Sequence, residues 1–257
     1  MKIKNHTKAD EQAAIGAPAI AVAGLRKVFG DRAILDDFNL IVNKDENVVI
    51  LGKSGAGKSV LIKCIIGLLE PDSGEINVLG ESVLGLKHIE LDRIRTKIGF
   101  LFQGNAIYDS MSIRENLEFP LRRHWFDLSQ QQIDTMVSEA LENVDLLHTI
   151  DMMPSELSGG MLKRVALART MILKPEIILY DEPTTGLDPV TARDIDALII
   201  SLHRKYRTAA IIISHDMNCV KNTSDRVVLL LDGKCYAEGT FEEFEHASDE
   251  NIKQFFE

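Results

Sequence analysis

The sequence has no apolar run long enough to cross a lipid bilayer. A spanning helix needs roughly 20 mostly apolar residues, whereas the longest apolar runs, residues 48–51 and 177–180, have only the length of buried strands. Residues 1–10 are polar and lack the apolar centre of a secretory signal. We therefore expect that, if the chain acts at a membrane, it does so from outside the lipid.

Cysteine is scarce as well. Cys64, Cys219 and Cys235 are odd in number and far apart. Their spacing matches neither a zinc-binding pattern nor a disulfide framework, and it indicates a reducing compartment. We interpret each cysteine as a small buried apolar residue rather than a reactive thiol.

The chain also lacks a basic run. The formal net charge is −10 at pH 7, and the short basic pairs at residues 122–123 and 204–205 do not alternate with aromatic residues. Proteins that bind nucleic acid usually carry a basic footprint, so we expect no nucleic-acid partner. With 257 residues, the chain can bury a substantial core in one domain, or in one domain with an inserted subdomain.

Runs of β-forming residues and helical patterns alternate along most of the chain. Residues 1–18 show no clear periodicity and are interpreted as a loose tail, followed by one domain over residues 19–257. Between about residues 105 and 174 the strand-like runs give way to helical ones with an apolar stripe, which predicts an inserted helical subdomain. Strands are predicted at residues 20–25, 35–42, 48–51, 177–180, 209–214, 226–231 and 234–238. Helices are predicted at residues 60–67, 130–144, 159–173, 189–206 and 217–223.

A glycine-rich loop follows the predicted strand at residues 48–51. Glycines let backbone N–H groups converge on an anion, and the helix that follows adds its N-terminal dipole. In such a loop Lys58 places a charge at the β- and γ-phosphates, and Ser59 offers a hydroxyl to Mg²⁺. The order of strand, loop and helix favours this interpretation over an ordinary turn. The predicted nucleotide-binding residues are Gly52, Lys53, Ser54, Gly55, Ala56, Gly57, Lys58 and Ser59.

Two adjacent carboxylates end the apolar run at residues 177–180. Asp181 suits Mg²⁺, which prefers oxygen ligands and keeps several waters. Glu182 stands where a carboxylate can orient a water toward the γ-phosphate. Taken alone, two acids at a strand end are more often solvated turn residues, so this interpretation depends on the phosphate loop upstream.

A second glycine-containing segment, residues 157–161, precedes a predicted helix. Ser158 is a good N-cap, and Gly159 and Gly160 leave the first backbone donors of the helix exposed. From these residues alone, an anion site and an ordinary capped helix remain equally open.

Taken together, these motifs resemble those of an ABC-type ATPase subunit. The phosphate loop, Gln103, the 157–161 signature, the acidic pair, the 186–188 segment and His215 occur in the order typical of that family, over about residues 20–243. The resemblance implies a P-loop NTPase fold of α/β class, with a mixed sheet core, an antiparallel β subdomain and an inserted helical subdomain. It also implies that two copies close head to tail on ATP and Mg²⁺, each ATP lying between the phosphate loop of one copy and the signature of the other.

The same resemblance implies roles for single residues. Phe29 is similar to the aromatic residue that stacks on adenine, although an isolated Phe can equally belong to the core. Gln103 is similar to the glutamine that contacts Mg²⁺ and the attacking water. Asp188 is similar to the residue that reads the opposite site across the dimer. His215 is similar to the histidine that contacts the γ-phosphate and holds Glu182. The expected catalytic residues are therefore Glu182, His215 and Gln103, and the expected metal contacts are Ser59, Gln103 and Asp181.

One position departs from the family pattern. Met161 stands where glutamine is usual, which puts a polar contact to the ribose in doubt but leaves Ser158, Gly159 and Gly160 to meet the γ-phosphate. This departure, together with residues 102–108 and 119–122, resembles the ATPases of Mla-type phospholipid transporters. That likeness implies a permease, a lipid-binding subunit and a place on the cytoplasmic face of the inner membrane.

The expected contact with a permease lies at residues 104–121. An apolar groove there would be supplied by Ile107, Tyr108, Met111, Ile113 and Leu117, about half of which are expected to be subdomain core instead.

Other functions compete with phospholipid transport. The cargo can instead be a small solute such as an amino acid. A non-transport ABC ATPase is disfavoured because the chain has one phosphate loop, a short helical insert and an acidic net charge. A regulatory ATP binder without turnover is disfavoured because it would need neither Glu182 nor His215.

Overall fold

The computed structural model describes residues 17–124 and 127–256. Most of the predicted tail, residues 1–16, lies outside the described residues. The strands are β1 (Ile20–Phe29), β2 (Arg32–Val42), β3 (Asn47–Leu51), β4 (Ser73–Val78), β5 (Glu81–Ser82), β6 (Ile98–Leu101), β7 (Ile177–Asp181), β8 (Ala209–Ile213), β9 (Arg226–Leu231) and β10 (Lys234–Gly239). The helices are α1 (Lys58–Ile65), α2 (His88–Arg95), α3 (Ile113–His124), α4 (Gln130–Glu142), α5 (Gly159–Met171), α6 (Pro189–Tyr206), α7 (Met217–Thr223), α8 (Phe241–Glu245) and α9 (Glu250–Lys253).

The larger sheet has the strand order β10-β9-β3-β8-β7-β6. All its pairings are parallel except that of β10 with β9, which form an antiparallel hairpin around Asp232 and Gly233. Side chains alternate between the two faces of each strand. Val49 and Ile212 therefore pack with the helices of the 113–171 region, while Ile50 and Ile211 pack with α1 and the smaller sheet. Burial on both faces explains why these strands read as continuous apolar runs.

The smaller sheet is antiparallel, with the order β2-β1-β4-β5. β1 continues to Phe29, four residues beyond its predicted end, because the pairing with β2 extends to Phe29 opposite Arg32. The elements β4, β5, α2 and β6 were absent from the sequence prediction. Their runs are short and hold few buried or half-buried apolar residues (two in β4, none in β5, two in α2 and three in β6), so the pattern within each run is weak.

Helices α3, α4 and α5 lie between β6 and β7. α4 begins at Ser129, whose hydroxyl accepts from the N–H of Gln132, and its apolar stripe packs into the core. α5 begins after Ser158, as predicted. The mixed sheet, the antiparallel sheet and this helical insert together confirm the predicted fold class. Among the described residues, every helix is too short or too polar to cross a bilayer.

The predicted burial of the cysteines and of the groove residues is only partly correct. Cys64 and Cys219 are buried, but Cys235 is half-buried. Ile113 and Leu117 are fully buried core residues, so they supply no open groove. Tyr108 is exposed and lies against Phe119, with 5.2 Å between the ring centroids.

Candidate functional site

A cleft with a volume of about 740 Å³ lies beyond the carboxyl ends of β3, β7 and β8. Ligands of parallel α/β sheets bind at this edge. The cleft brings together the phosphate loop, the acidic pair, Gln103, His215 and Phe29. Its lining residues are Phe29, Ile34, Gly52, Lys53, Ser54, Gly55, Ala56, Gly57, Lys58, Ser59, Val60, Gln103, Asp181, Glu182, Ile213, His215 and Phe255.

The phosphate loop joins β3 to α1 and requires glycine at two positions. A Cβ at Gly52 would lie 2.8 Å from the carbonyl oxygen of Leu230. Gly57 has a φ of +109°, and a Cβ there would lie 2.8 Å from Cγ2 of Ile34. Gly57 is also the N-cap of α1, and within the described part of the chain no side chain caps this helix. The first N–H groups of α1 therefore face the cleft and can bind an anion.

Lys58 is folded back over the loop. Its ammonium donates to the carbonyl oxygens of Gly52 at 2.6 Å and Lys53 at 3.1 Å. Burial lowers the pKa of Lys58, whereas the carboxylates of Glu182 and Asp181 oppose that shift. A buried ammonium bonded only to carbonyl dipoles gains most from an anionic ligand within reach.

Asp181 lies opposite Ser59. The Ser59 hydroxyl donates to Oδ1 of Asp181 at 3.4 Å across the gap between α1 and β7. Burial raises the pKa of the Asp181 carboxyl, and the adjacent Glu182 adds to this shift, while the bond from Ser59 and the charges of Lys63 and Lys58 oppose it. A cation would relieve this cost of burial. One hydroxyl and one carboxylate, both hard oxygen ligands facing a phosphate cradle, fit Mg²⁺.

Glu182 is held by two side chains. It has a left-handed backbone, with φ of +54°, which turns its side chain away from the alternation of β7 and toward the cleft. Its N–H donates to the carbonyl oxygen of Ile213 at 3.0 Å. Oε2 lies 2.7 Å from Nδ1 of His215 and accepts from the Thr185 hydroxyl at 3.1 Å. The carboxylate is therefore fixed at the cleft wall, while the His215 side chain remains 69% exposed and open to a ligand.

Phe29 and Gln103 both line the cleft. Phe29 is 50% exposed, and the ammonium of Lys27 stands 5.5 Å from its ring centroid. This exposure excludes the alternative that Phe29 is a core residue. The carbonyl oxygen of Gln103 accepts from Lys163 of α5 at 3.1 Å, which ties the loop after β6 to the signature helix.

The signature residues and Asp188 are absent from the cleft lining given above. Ser158 caps α5 through a 3.3 Å bond from the N–H of Met161. A Cβ at Gly160 would lie 2.7 Å from Cγ2 of Thr191. The Thr191 hydroxyl donates to Asp188 at 2.6 Å, and Asp188 caps α6. The signature and Asp188 thus adjoin each other in one chain, away from its own phosphate loop.

Sequence reasoning missed two residues of the site. Thr185 carries no motif signal of its own, and only its bond to Glu182 reveals it. Phe255 lies beyond the region of family resemblance. α9 ends at Lys253, and the following turn packs Phe256 on Phe241 and brings Phe255 to the cleft.

Comparison with known proteins gives one consistent result. A family model described as ABC transporter matches residues 35–185. The intermembrane phospholipid transport system ATP-binding protein MlaF of Haemophilus influenzae is 40% identical over 236 residues, which cover 92% of this chain and 89% of that protein. The methionine import ATP-binding protein MetN of Rhizobium johnstonii is 36% identical over 90% of this chain and 64% of its own length.

A solved structure is also similar. It is a dimeric ATP-binding cassette in a post-hydrolysis state with ADP and Pi bound. The TM-score is 0.78 at 30% identity, and the match covers 86% of this chain and 98% of that one.

Proposed function

The chain belongs to the ATP-binding subunits of ABC transporters, and from this we propose that it hydrolyses ATP to power phospholipid transport between envelope membranes. The proposal of this cargo is supported by the 40% identity to a phospholipid-transport ATPase over nearly the full length of both chains.

The proposed mechanism, in which two copies share each ATP site, depends on one observation. The phosphate loop and the hydrolytic residues share one cleft, whereas Ser158, Gly159 and Gly160 of the same chain are not among the residues that line it. A second copy, turned head to tail, brings its signature helix N-terminus to the γ-phosphate held by the first. The solved relative, a dimer with ADP and Pi, supports this arrangement.

Within each site, different residues bind the phosphates, the adenine and the metal ion and activate the water. The N–H groups of the loop and Lys58 bind the β- and γ-phosphates, and Phe29 stacks on the adenine. Ser59, Asp181 and Gln103 would hold Mg²⁺, which neutralises phosphate charge. Glu182 orients the attacking water and accepts its proton, while His215 keeps the carboxylate in place through the 2.7 Å contact and reaches the γ-phosphate.

Closure of two copies on ATP would push on a permease, and hydrolysis would reopen them. We place the chain peripherally on the cytoplasmic face of the inner membrane, with an integral permease and a lipid-binding subunit as partners. Residues 104–121 are the proposed permease contact, where exposed Tyr108 and Phe119 offer an apolar surface. Because closure costs entropy that a permease would help to offset, we expect slow hydrolysis by the free subunit and faster hydrolysis in the complex.

The test is reconstitution with the integral subunits that copurify from a membrane fraction. We expect ATP-dependent transfer of labelled phospholipid between donor and acceptor vesicles, and we expect its loss when the ATPase subunit carries Glu182→Gln. ATP hydrolysis with no lipid transfer, but with uptake of an amino acid, would overturn the cargo. The likeness to a methionine import protein makes that solute class the second candidate.

A further inference from the structure

Two cationic side chains of α5 hold the loop that carries Gln103. The ammonium of Lys163 donates to the carbonyl oxygen of Gln103 at 3.1 Å. The guanidinium of Arg169 donates to the carbonyl oxygens of Asn105 at 3.0 Å and Ala106 at 2.8 Å. Three of the four carbonyl groups at residues 103–106 therefore accept from one helix. We call this set of three hydrogen bonds the α5 clamp.

Neither cation of the α5 clamp is paired with a carboxylate within residues 17–124 and 127–256. Lys163 is only 2% exposed, and its bond to Gln103 is the one hydrogen bond that its side chain makes to the described residues. Burial lowers the pKa of Lys163, and no neighbouring acid opposes that shift. Arg169 is half-buried and lies over Tyr108, with its Cζ 5.8 Å from the ring centroid. Because burying an unpaired charge is costly, the stability of the fold does not explain Lys163.

The loop itself has a backbone conformation that needs support. Asn105 and Ala106 both lie in the left-handed region, with φ of +61° and +54°. Asparagine tolerates this region, whereas alanine rarely adopts it because its Cβ crowds the following carbonyl oxygen. Such conformations persist only where the surrounding structure fixes them. The α5 clamp supplies these fixing contacts from outside the loop.

The clamped loop connects the nucleotide cleft to the signature helix. Gln103 lines the cleft together with Ser59 and Asp181, the other two proposed Mg²⁺ contacts. α5 begins after Ser158, and this helix N-terminus serves the partner's site in the proposed function. Lys163 follows Ser158 by five residues, which is about 7.5 Å along the helix axis. The placement of Gln103 in one site therefore depends on the helix that serves the other site.

We propose that Lys163, together with Arg169, is a positioning residue for hydrolysis: its bond to the loop backbone sets where the Gln103 side chain lies in the cleft. In the proposed function, on which this inference rests, Gln103 contacts Mg²⁺ and the attacking water. Neither Lys163 nor Arg169 is assigned a contact with the nucleotide.

The first test measures ATP hydrolysis by the full-length chain in its reconstituted transporter complex. Lys163→Met keeps an unbranched side chain but removes the donor, and we expect kcat to fall about tenfold, since a misplacement of about 1 Å can cost about a hundredfold. The KM for ATP stays unchanged because the phosphate loop is untouched. The Tm does not fall, because an apolar side chain avoids the cost of an unpaired buried charge. Lys163→Arg keeps the charge and the donor and restores most of kcat.

The second test needs no turnover. The N–H groups of Asn105 and Ala106 donate to the carbonyl oxygens of Phe102 and Gly104. In Lys163→Met we expect their hydrogen exchange to be about five- to tenfold faster, the equivalent of one net hydrogen bond. Mass spectrometry of peptides that cover residues 102–108 measures this rate, and Lys163→Arg returns it to the value of the unmodified chain.

Lys174→Met is the matched control for both tests. Lys174 is exposed, pairs with Glu139 at 3.8 Å and lies three residues beyond the end of α5. Its replacement by methionine leaves kcat and the exchange of residues 102–108 unchanged.

The outcomes separate positioning from packing. Unchanged kcat in Lys163→Met would overturn the inference, and so would a loss of kcat that comes with a fall in Tm and is not reversed by Lys163→Arg. If Lys163→Met does not fold, Arg169→Met decides, because this half-buried side chain lies near the end of α5; unchanged exchange of residues 102–108 there overturns the inference. No ATP hydrolysis by the unmodified complex would instead refute the proposed function, while the exchange rates would still test the α5 clamp.

Discussion

The two glycine-containing motifs of this chain sit in different structural settings. The phosphate loop lies between a strand buried on both faces and a buried helix, and its glycines are required by contacts of 2.8 Å that a Cβ would make within the same chain. The signature helix begins at the surface, and a Cβ at Gly159 would meet no described atom within 4 Å. Gly52 and Gly57 of the first motif are therefore required by packing within one chain, and so is Gly160 of the second, whose Cβ would lie 2.7 Å from Cγ2 of Thr191. Gly159 has no steric reason inside that chain.

We interpret this difference in terms of the proposed function. A glycine without an internal clash leaves room for a ligand outside the chain, which in our proposal is the nucleotide on a second copy. The five predictions that follow compare two halves of the site, in order of expected effect. The self-contained half is the phosphate loop with the residues that share its cleft, and the outward-facing half is the signature.

The largest effect is expected in the self-contained half. Glu182→Gln keeps the size of the side chain but removes its basicity, so turnover should fall about 10²–10⁴-fold, the range for a lost general base. ATP affinity should be retained, because the phosphate loop is intact. Single-turnover kinetics and equilibrium binding on the same preparation measure both, and unchanged turnover would refute the role of Glu182.

A change in the outward-facing half should strongly reduce turnover without lowering the stability of the fold. Gly159→Asp replaces glycine in the first turn of α5, where an acid suits the helix dipole, so the Tm should not fall. A carboxylate facing the partner's γ-phosphate should nevertheless cut turnover about 10²-fold, comparable to losing one electrostatic contact in an active site.

Mixing two impaired variants tests whether each site is shared between two copies. Lys58→Ala should weaken ATP binding about 10- to 100-fold through the loss of a charged hydrogen bond. A mixed dimer of Lys58→Ala and Gly159→Asp copies has one site with both lesions and one with none, so mixing should restore activity. Mixed samples no more active than the separate variants would contradict the shared site.

A smaller effect is expected at the rim of the cleft. Phe29→Ala should weaken ATP binding about tenfold, within the 1–3 kcal/mol measured for stacking of a base on an aromatic side chain. Because Phe29 is half exposed, the Tm should hardly change. Phe29→Tyr serves as the matched control, and calorimetric titration with ATP should give it near-normal affinity.

The smallest effect is expected at Thr185. Thr185→Val removes the hydrogen bond that the hydroxyl donates to the Glu182 carboxylate, while His215 still contacts that carboxylate. The value of kcat should therefore fall only about two- to tenfold, with KM for ATP unchanged. Thr185→Ser keeps the hydroxyl and should restore kcat. Equal rates for the Val and Ser variants would mean that His215 alone positions the carboxylate.

The core strands and the late helices were predictable because each carries its own local pattern. The limits of α6, α7 and β9 follow directly from their apolar periodicity and from Asp188, Asp216 and the turn at Asp232 and Gly233. The elements β4, β5 and α2 were missed because they are short and depend on long-range contacts rather than on a pattern of their own. β4 pairs with β1, β5 pairs with β4, and α2 packs against β6 and the core beside the smaller sheet.

The residues of the site likewise include some that the sequence predicted and others that only the structure revealed. The phosphate loop, residues 52–59, and the acidic pair were predictable from their spacing, since phosphate binding demands glycine, lysine and serine in one loop. Thr185 and Phe255 were not predictable, because only the folded chain brings Thr185 to Glu182 and Phe255 to the cleft.

The sequence by itself determined the chemistry: a phosphate loop after a buried strand, two acids at the end of another, and a capped helix start with two glycines, each a local pattern of a few residues. Only the tertiary structure decided which of these share a cleft. Parallel pairing of β3, β8 and β7 brings Lys58, Asp181 and His215 to one sheet edge, and the left-handed backbone of Glu182 turns its carboxylate into the same space. The packing of α5 in the core places the signature outside the lining of this cleft. That placement depends on long-range contacts, which a local sequence pattern does not specify.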